Sequence, residues 1–218
     1  MSASTPDALL FITPDCPHCP VVLQGLSDLL KQAAIGKLTV VNVAAHPELA
    51  AEYGVRAAPW LRLGPFTLTG AQSPAELRQW VEWSSGEEEG IARYVEHLLK
   101  EGGFKQAGIF IAEDTQRLKS LLSIVADPAK SIEVRVGVDA LLEAYSNAPE
   151  LQSLLPQLAA FTRHADHRVR ADACHLLGLS GSAAARPYLE VCVNDSSDEV
   201  REIAVESLQL LEAMPPNG

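Results

Sequence analysis

The first strong apolar run, from Ala8 to Thr13, has the length of a buried strand. Beyond it, Val22, Leu26, Leu29 and Leu30 recur at offsets of four, seven and eight, which is one face of an amphipathic helix. That helix opens at Pro20 and is expected to stop at Ile35-Gly36. The compact β-branched run from Leu38 to Val43 is a second strand, and its place after the helix implies a βαβ unit with parallel strands. A short helix is expected from Pro47 to Tyr53, and a hairpin from Leu61–Leu63 and Phe66–Thr69 around Gly64-Pro65. Ser73-Pro74-Ala75-Glu76 then starts a helix, with a Ser cap, Pro in the first position and Glu in the third. The element order is β-α-β-α-β-β-α.

Polar, small and charged residues from Ser84 to Gly90 interrupt this order and read as a linker. The expected division is a first domain at 1–86 and a second at 87–218. The second shows only helical stripes: Ile91, Tyr94, Val95, Leu98 and Leu99; Leu118, Leu121, Leu122 and Val125; Leu151, Leu154, Leu155 and Leu158. It also contains a repeat. Val134-Arg135, Val169-Arg170 and Val200-Arg201 stand 35 and 31 residues apart, followed in phase by Val138, Ala173 or Ala204 and by Leu142, Leu177 or Leu208. Such a period signals stacked helical pairs, because one pair cannot bury its own apolar face. An acidic turn followed by Val-Arg and then small and Leu positions resembles HEAT repeats, clearest over residues 130–211. The resemblance implies an all-α solenoid that presents a surface to protein partners.

Charge narrows the possible partners. The chain carries 17 Lys and Arg against 28 Asp and Glu, a net of −11. Residues 1–86 hold 5 against 7, and the remainder 12 against 21, so most of the excess lies in the second domain. Nucleic acid and anionic membranes are disfavoured as partners. No apolar run approaches a membrane span, and the first residues lack the pattern of a secretory signal, so the expectation is a soluble cytoplasmic protein.

In such a compartment a close cysteine pair points to redox chemistry or metal rather than a structural framework. Cys16-Pro17-His18-Cys19 lies between the first strand and the first helix. Unpaired N–H groups and the dipole at a helix N-terminus stabilise a thiolate there. Three readings are open for the pair: structural cysteines, two ligands of a soft metal ion, or a dithiol–disulfide couple. Copper-carrying domains place a similar pair after their first strand, but their βαββαβ order differs, and no nearby ligands complete a zinc site. The remaining cysteines, Cys174 and Cys192, are 18 residues apart. Cys192 shares an apolar stripe with Ala185, Tyr188 and Leu189 and reads as core, whereas Cys174 falls beside its stripe. His164 and His167 flank a repeat turn and read as solvated.

The segment Gly54-Val55-Arg56-Ala57-Ala58-Pro59, together with the Cys16–Cys19 pair and the element order, resembles the thioredoxin superfamily over residues 8–84. The resemblance implies an α/β thioredoxin-like fold without its optional first strand and helix, fused here to the HEAT-like helices. It also implies a cis peptide before Pro59, packing of that proline against the cysteine pair, and pairing of a substrate strand with the backbone at Ala58. Trp60 either flanks the resulting groove or packs at the strand end. The Pro17-His18 pair is more similar to glutaredoxin-like disulfide oxidoreductases, and to a strongly oxidising periplasmic family, than to thioredoxin itself. His18 would stabilise the Cys16 thiolate, whereas Asp15 would oppose it. Thioredoxins carry a buried acid where this chain has Leu10. The implied activity is thiol–disulfide exchange on protein disulfides. Cys16 attacks and Cys19 resolves, no cofactor or metal is needed, an upstream reductase or oxidant is a partner, and the helical domain recruits the substrate. The alternative is a docking scaffold or redox sensor with little turnover.

Overall fold

The computed structural model describes residues 5–84 and 88–213. The chain forms two compact units, Met1–Ile91 and Ala92–Gly218. The boundary expected between 86 and 87 lies outside the described residues. Of the expected linker, Glu88–Gly90 already belong to a helix.

In the first unit β1 (Ala8–Ile12) is followed by α1 (Cys19–Lys31), β2 (Leu38–Asn42), α2 (Pro47–Glu52), β3 (Trp60–Leu63), β4 (Phe66–Thr69) and α3 (Pro74–Trp83). The sheet order is β2-β1-β3-β4. β1 runs parallel to β2, as the helical crossover requires, and antiparallel to β3, which forms the hairpin with β4. This is the thioredoxin-like α/β fold.

Alternation along the strands sends side chains to two buried faces. Leu10 lies opposite Leu61, Leu61 opposite Leu68, and Leu63 opposite Phe66, so these residues share one face. All five are at most 1% exposed. The Phe66 ring meets Trp80 of α3 edge-on at 5.7 Å, which places α3 over this face. α1 packs beside α3, and their closest approach is at Gly25, where a Cβ would stand 2.6 Å from Leu77 Cδ1. The opposite face of β1 carries Phe11, which packs with Val41, Ala50 and Trp60 and is bordered by Leu9, Leu49, Tyr53 and Val55.

Helix α1 stops earlier than its sequence suggests. Ala33, not Gly36, takes the left-handed conformation, at φ 55°. The Ala34 N–H donates to Leu29 O and the Ala33 N–H to Leu30 O, both at 3.0 Å, which closes a Schellman-type cap. Leu30, counted in the apolar stripe, is 38% exposed at its edge.

The second unit is entirely helical among its described residues. α4 (Glu88–Lys100) leads into α5 (Phe104–Glu113), α6 (Leu118–Val125), α7 (Ile132–Glu143), α8 (Pro149–Gln152), α9 (Leu155–Phe161), α10 (His167–Leu179), α11 (Arg186–Cys192) and α12 (Asp198–Ala213), with single 3₁₀ turns before α6 and α11. The repeated Val134, Val169 and Val200 are each 0% exposed, which explains their fixed phase. The repeated arginines work inside the solenoid. Arg170 binds Asp195 through two bonds of 2.8 and 2.7 Å and donates to the carbonyls of His164 and Ala165. Arg135 reaches forward to Asp172 of the next repeat, and Arg201 donates to Asp195 O and pairs with Asp198. Arg170 and Arg201 thus bind carbonyls of the turn before their own helix, and Arg135 and Arg170 each bind an acid further along the chain.

Asp139 lies on α7, in the pocket that Arg135 and Asp172 also line. Burial, and then the Asp172 charge, push its carboxyl up to about 7 against the pull of Arg135, and Glu143 adds to the rise. The unfolded chain ionises this group near its ordinary value, so the fold loses stability as pH rises from about 4 to 7. Asp139→Asn is expected to stabilise the helical unit by an increment that grows across this window and stays flat above it. Urea denaturation at several pH values checks this, and a pH-independent difference would contradict it. Ala33→Gly should raise the stability of the first unit by about 1 kcal/mol, because glycine occupies the left-handed region without a Cβ clash. Equal or lower stability in denaturant titrations would contradict the cap.

Candidate functional site

The antiparallel pairing of β1 with β3 sets Phe11 opposite Trp60. The chain leaving β1 and the chain entering β3 therefore meet at one end of the sheet. Cys16–Cys19 lies on the first of these and Ala58-Pro59 on the second. The turn after β2 joins them, with the Val43 N–H donating to Ile12 O at 2.9 Å. So does the end of β4, where the Gly70 N–H donates to Pro59 O at 2.9 Å. Gly70, at φ 84°, is a part of this end that sequence reading missed, although a glycine directly after a strand is a recognisable signal for such a turn.

Cys16 and Cys19 are joined in a disulfide, with Cα atoms 5.5 Å apart. The two sulfurs are unlike in their surroundings. Cys19, the first residue of α1, is 4% exposed, and Cys16 on the preceding loop is half-buried. The Cys19 N–H donates to Cys16 Sγ at 3.1 Å. That amide belongs to the first turn of α1, where the helix leaves N–H groups without internal partners. No side chain caps this end: His18 occupies the cap position without a capping bond, and Pro20 has no N–H to contribute. The polar stabilisation of the first turn is therefore directed at Cys16. A backbone donor held against sulfur at a helix N-terminus favours thiolate over thiol when the disulfide opens.

Pro17 and His18 are both exposed beside the disulfide. The peptide between Ala58 and Pro59 is cis. Pro59 is buried and Ala58 half-buried. Among the described residues no group donates to or accepts from the Ala58 backbone. Trp60 is a correction to the groove reading. Its indole is 6% exposed and packs edge-on against Phe11 at 5.3 Å and Tyr53 at 5.9 Å, so it is strand-end core and does not flank a groove. It points inward because Phe11, its partner in register, lies on the apolar face towards α2.

Leu10 is 0% exposed, six residues before Cys16. The buried polar side chains of the first unit are Gln72 and Ser84, so among the described residues no buried carboxylate stands ready to take a proton from Cys19. No group of three or more His, Cys, Asp or Glu side chains is arranged to hold a metal ion among the described residues. No helix among them is long and apolar enough to cross a membrane.

Comparison with known families agrees with both halves of this picture. Residues 9–82 match the model of a thioredoxin domain, and residues 118–209 match the model of HEAT repeats. The chain thus carries a thioredoxin domain followed by HEAT repeats. No curated protein matches it.

The asymmetry between the two sulfurs has a direct consequence. After reduction, limiting iodoacetamide at neutral pH is expected to modify Cys16 well before Cys19, as read by peptide mapping of the folded protein. Equal or reversed labelling would contradict the assignment of Cys16 as the more exposed, thiolate-favoured sulfur.

Proposed function

We propose that this protein is a thiol–disulfide oxidoreductase that acts on protein disulfides through Cys16 and Cys19. The observation that carries this reading is the Cys16–Cys19 disulfide itself. It stands at the N-terminus of α1, with one sulfur half-buried and held by the Cys19 N–H and the other sealed in the core. In the reducing direction the Cys16 thiolate attacks one sulfur of a substrate disulfide, and the other substrate sulfur leaves as a thiolate and takes up a proton. Cys19 then loses its proton and attacks Cys16 Sγ, which releases the second substrate thiol and restores the disulfide. An external dithiol or reductase returns the pair to its reduced form. Run backwards, the same steps oxidise a substrate dithiol.

Several features support a peptide substrate. The Ala58 backbone edge is open at the same end of the sheet as the disulfide, and Pro17, Pro20 and Val21 are exposed around it, Val21 at 52%. An extended segment bonded to Ala58 would gain main-chain bonds there and contact these apolar groups. The HEAT repeats are proposed to recruit the protein that carries the disulfide. Their acidic surface, together with Ile132 at 71%, Val136 at 58% and Val191 at 73% exposure, supports a protein partner rather than nucleic acid.

One observation favours the alternative, a redox sensor or docking module with little turnover. Leu10 occupies the place where thioredoxins hold a buried acid, so among the described residues no buried carboxylate stands ready to take the proton of Cys19. A substrate-turnover experiment separates the two readings. Cys16→Ser is expected to abolish dithiothreitol-driven reduction of insulin disulfides. Cys19→Ser should retain the first step and accumulate a mixed disulfide on Cys16. Undiminished turnover in Cys16→Ser would sink the mechanism, and a wild-type chain with no turnover above the uncatalysed rate would favour the sensor.

A further inference from the structure

Val55 and Pro59 pin a short loop that carries an unpaired charge. The Val55 N–H donates to Ala50 O at 2.8 Å, and its side chain packs against the core of Phe11, Val41 and Trp60. Pro59 is buried, and its carbonyl accepts from the Gly70 N–H at 2.9 Å. Between these anchors Arg56 and Ala57 are exposed and Ala58 is half-buried. Arg56 is therefore held two residues before the Ala58 backbone, at the end of the sheet that carries the disulfide. Its guanidinium has no hydrogen bond or ion pair among the described residues.

The other basic side chains of the first unit are engaged or lie elsewhere. Residues 1–86 hold five Lys and Arg. Lys31 pairs with Asp28 at 3.3 Å in the last turn of α1, and Arg62 stacks over the Tyr53 ring at 6.0 Å. Lys37 stands before β2, at the sheet end where its carbonyl meets the Ala8 N–H, away from the cysteines. Arg78 lies within α3. On the cysteine segment, Asp15 directly precedes Cys16, is exposed, and likewise has no partner among the described residues. The two segments that meet at the site thus differ in charge, with a free cation beside Ala58-Pro59 and a free anion beside Cys16.

We infer that Arg56 is a specificity-determining residue that favours protein disulfides carrying an Asp or Glu within about three residues of the reacting cysteine. This selection rests on the thiol–disulfide exchange proposed above and defines the class of substrate it acts on. Two residues of extended chain span about 7 Å, so a segment held at Ala58 carries its neighbours two or three positions away past Arg56. A carboxylate there meets an unpaired guanidinium, whose planar fork binds it through two parallel bonds. A Lys at the same place is repelled. Asp15 opposes an acid on the cysteine side, so the preference belongs to one flank of the substrate cysteine. The contact is solvated, so it has the size of an exposed ion pair and acts on binding, while Cys16 and Cys19 carry out the exchange.

The test uses the full chain and synthetic peptides with one cysteine, joined by a disulfide to a neutral peptide. Glu, Gln or Lys is placed two residues before or two residues after that cysteine. Dithiothreitol supplies the electrons, and kcat and KM are measured above the uncatalysed rate. In the wild-type chain, kcat/KM for Glu on one flank is expected to exceed that for Lys by about fivefold, through KM. Arg56→Lys should keep most of this ratio, Arg56→Gln should bring it to about one, and Arg56→Glu should invert it. Salt at about 1 M should erase it, because the Debye length falls to about 3 Å. The ratio within one variant does not respond to a general loss of activity or of fold. A wild-type ratio near one, an equal Glu preference on both flanks, or an unchanged ratio in Arg56→Glu would each overturn the inference and leave the exchange activity standing. Absence of turnover with every peptide would overturn the exchange reading and this selection with it.

Discussion

Helix α1 is held on the sheet by Val22, Gly25, Leu26 and Leu29, all buried, and the chemistry at its N-terminus depends on that attachment. The buried face fixes the rotation of the helix about its axis. That rotation turns Cys19, in phase with Val22 and Leu26, into the core and leaves Cys16 on the loop outside it. The Gly25–Leu77 approach fixes how near α1 lies to α3. With the helix so placed, the Cys19 amide donates to Cys16 Sγ, and no side chain caps this end. The difference in burial between Cys16 and Cys19 is therefore a product of core packing. It needs no charged neighbour.

The same sheet brings the second half of the site into place. Antiparallel pairing of β1 and β3 forces the residues before Trp60 to the end of the sheet where the residues after Ile12 emerge. Ala58-Pro59 and Cys16–Cys19 are far apart in sequence and share that end for topological reasons alone. In the HEAT repeats the in-phase arginines are used in a similar way: Arg170 and Arg201 close the turn before their own helix, and Arg135 and Arg170 bind an acid further along the chain. That leaves the outer helix faces to carry the unit's acidic and apolar exposed residues.

Much of this was legible in the chain. Apolar and β-branched runs, helical spacing and cap residues located the strands and helices described from Ala8 to Trp83, and the in-phase Val-Arg positions exposed the repeats. What escaped had physical reasons. Gly36 looked like the stop of α1, but the helix closes on Ala33, a residue that gives no sequence sign of a left-handed conformation. The ion pairs of Arg135 and Arg170 could not be read because their acids, Asp172 and Asp195, lie 37 and 25 residues further on, beyond the reach of local pattern. Cys174 looked partly exposed because the helix that covers it, α12, comes much later in the chain. Trp60 allowed two readings, and only the register with Phe11 decided between them.

The central claim is that the Cys16–Cys19 disulfide is an exchange site and not a staple. The reduction potential of that pair, measured by equilibration with glutathione or dithiothreitol and read by thiol trapping, tests it most directly. The account predicts a value between about −270 and −120 mV, the range spanned by thioredoxin-fold dithiols of reducing and oxidising type. A value below about −300 mV, where structural disulfides lie, would contradict it.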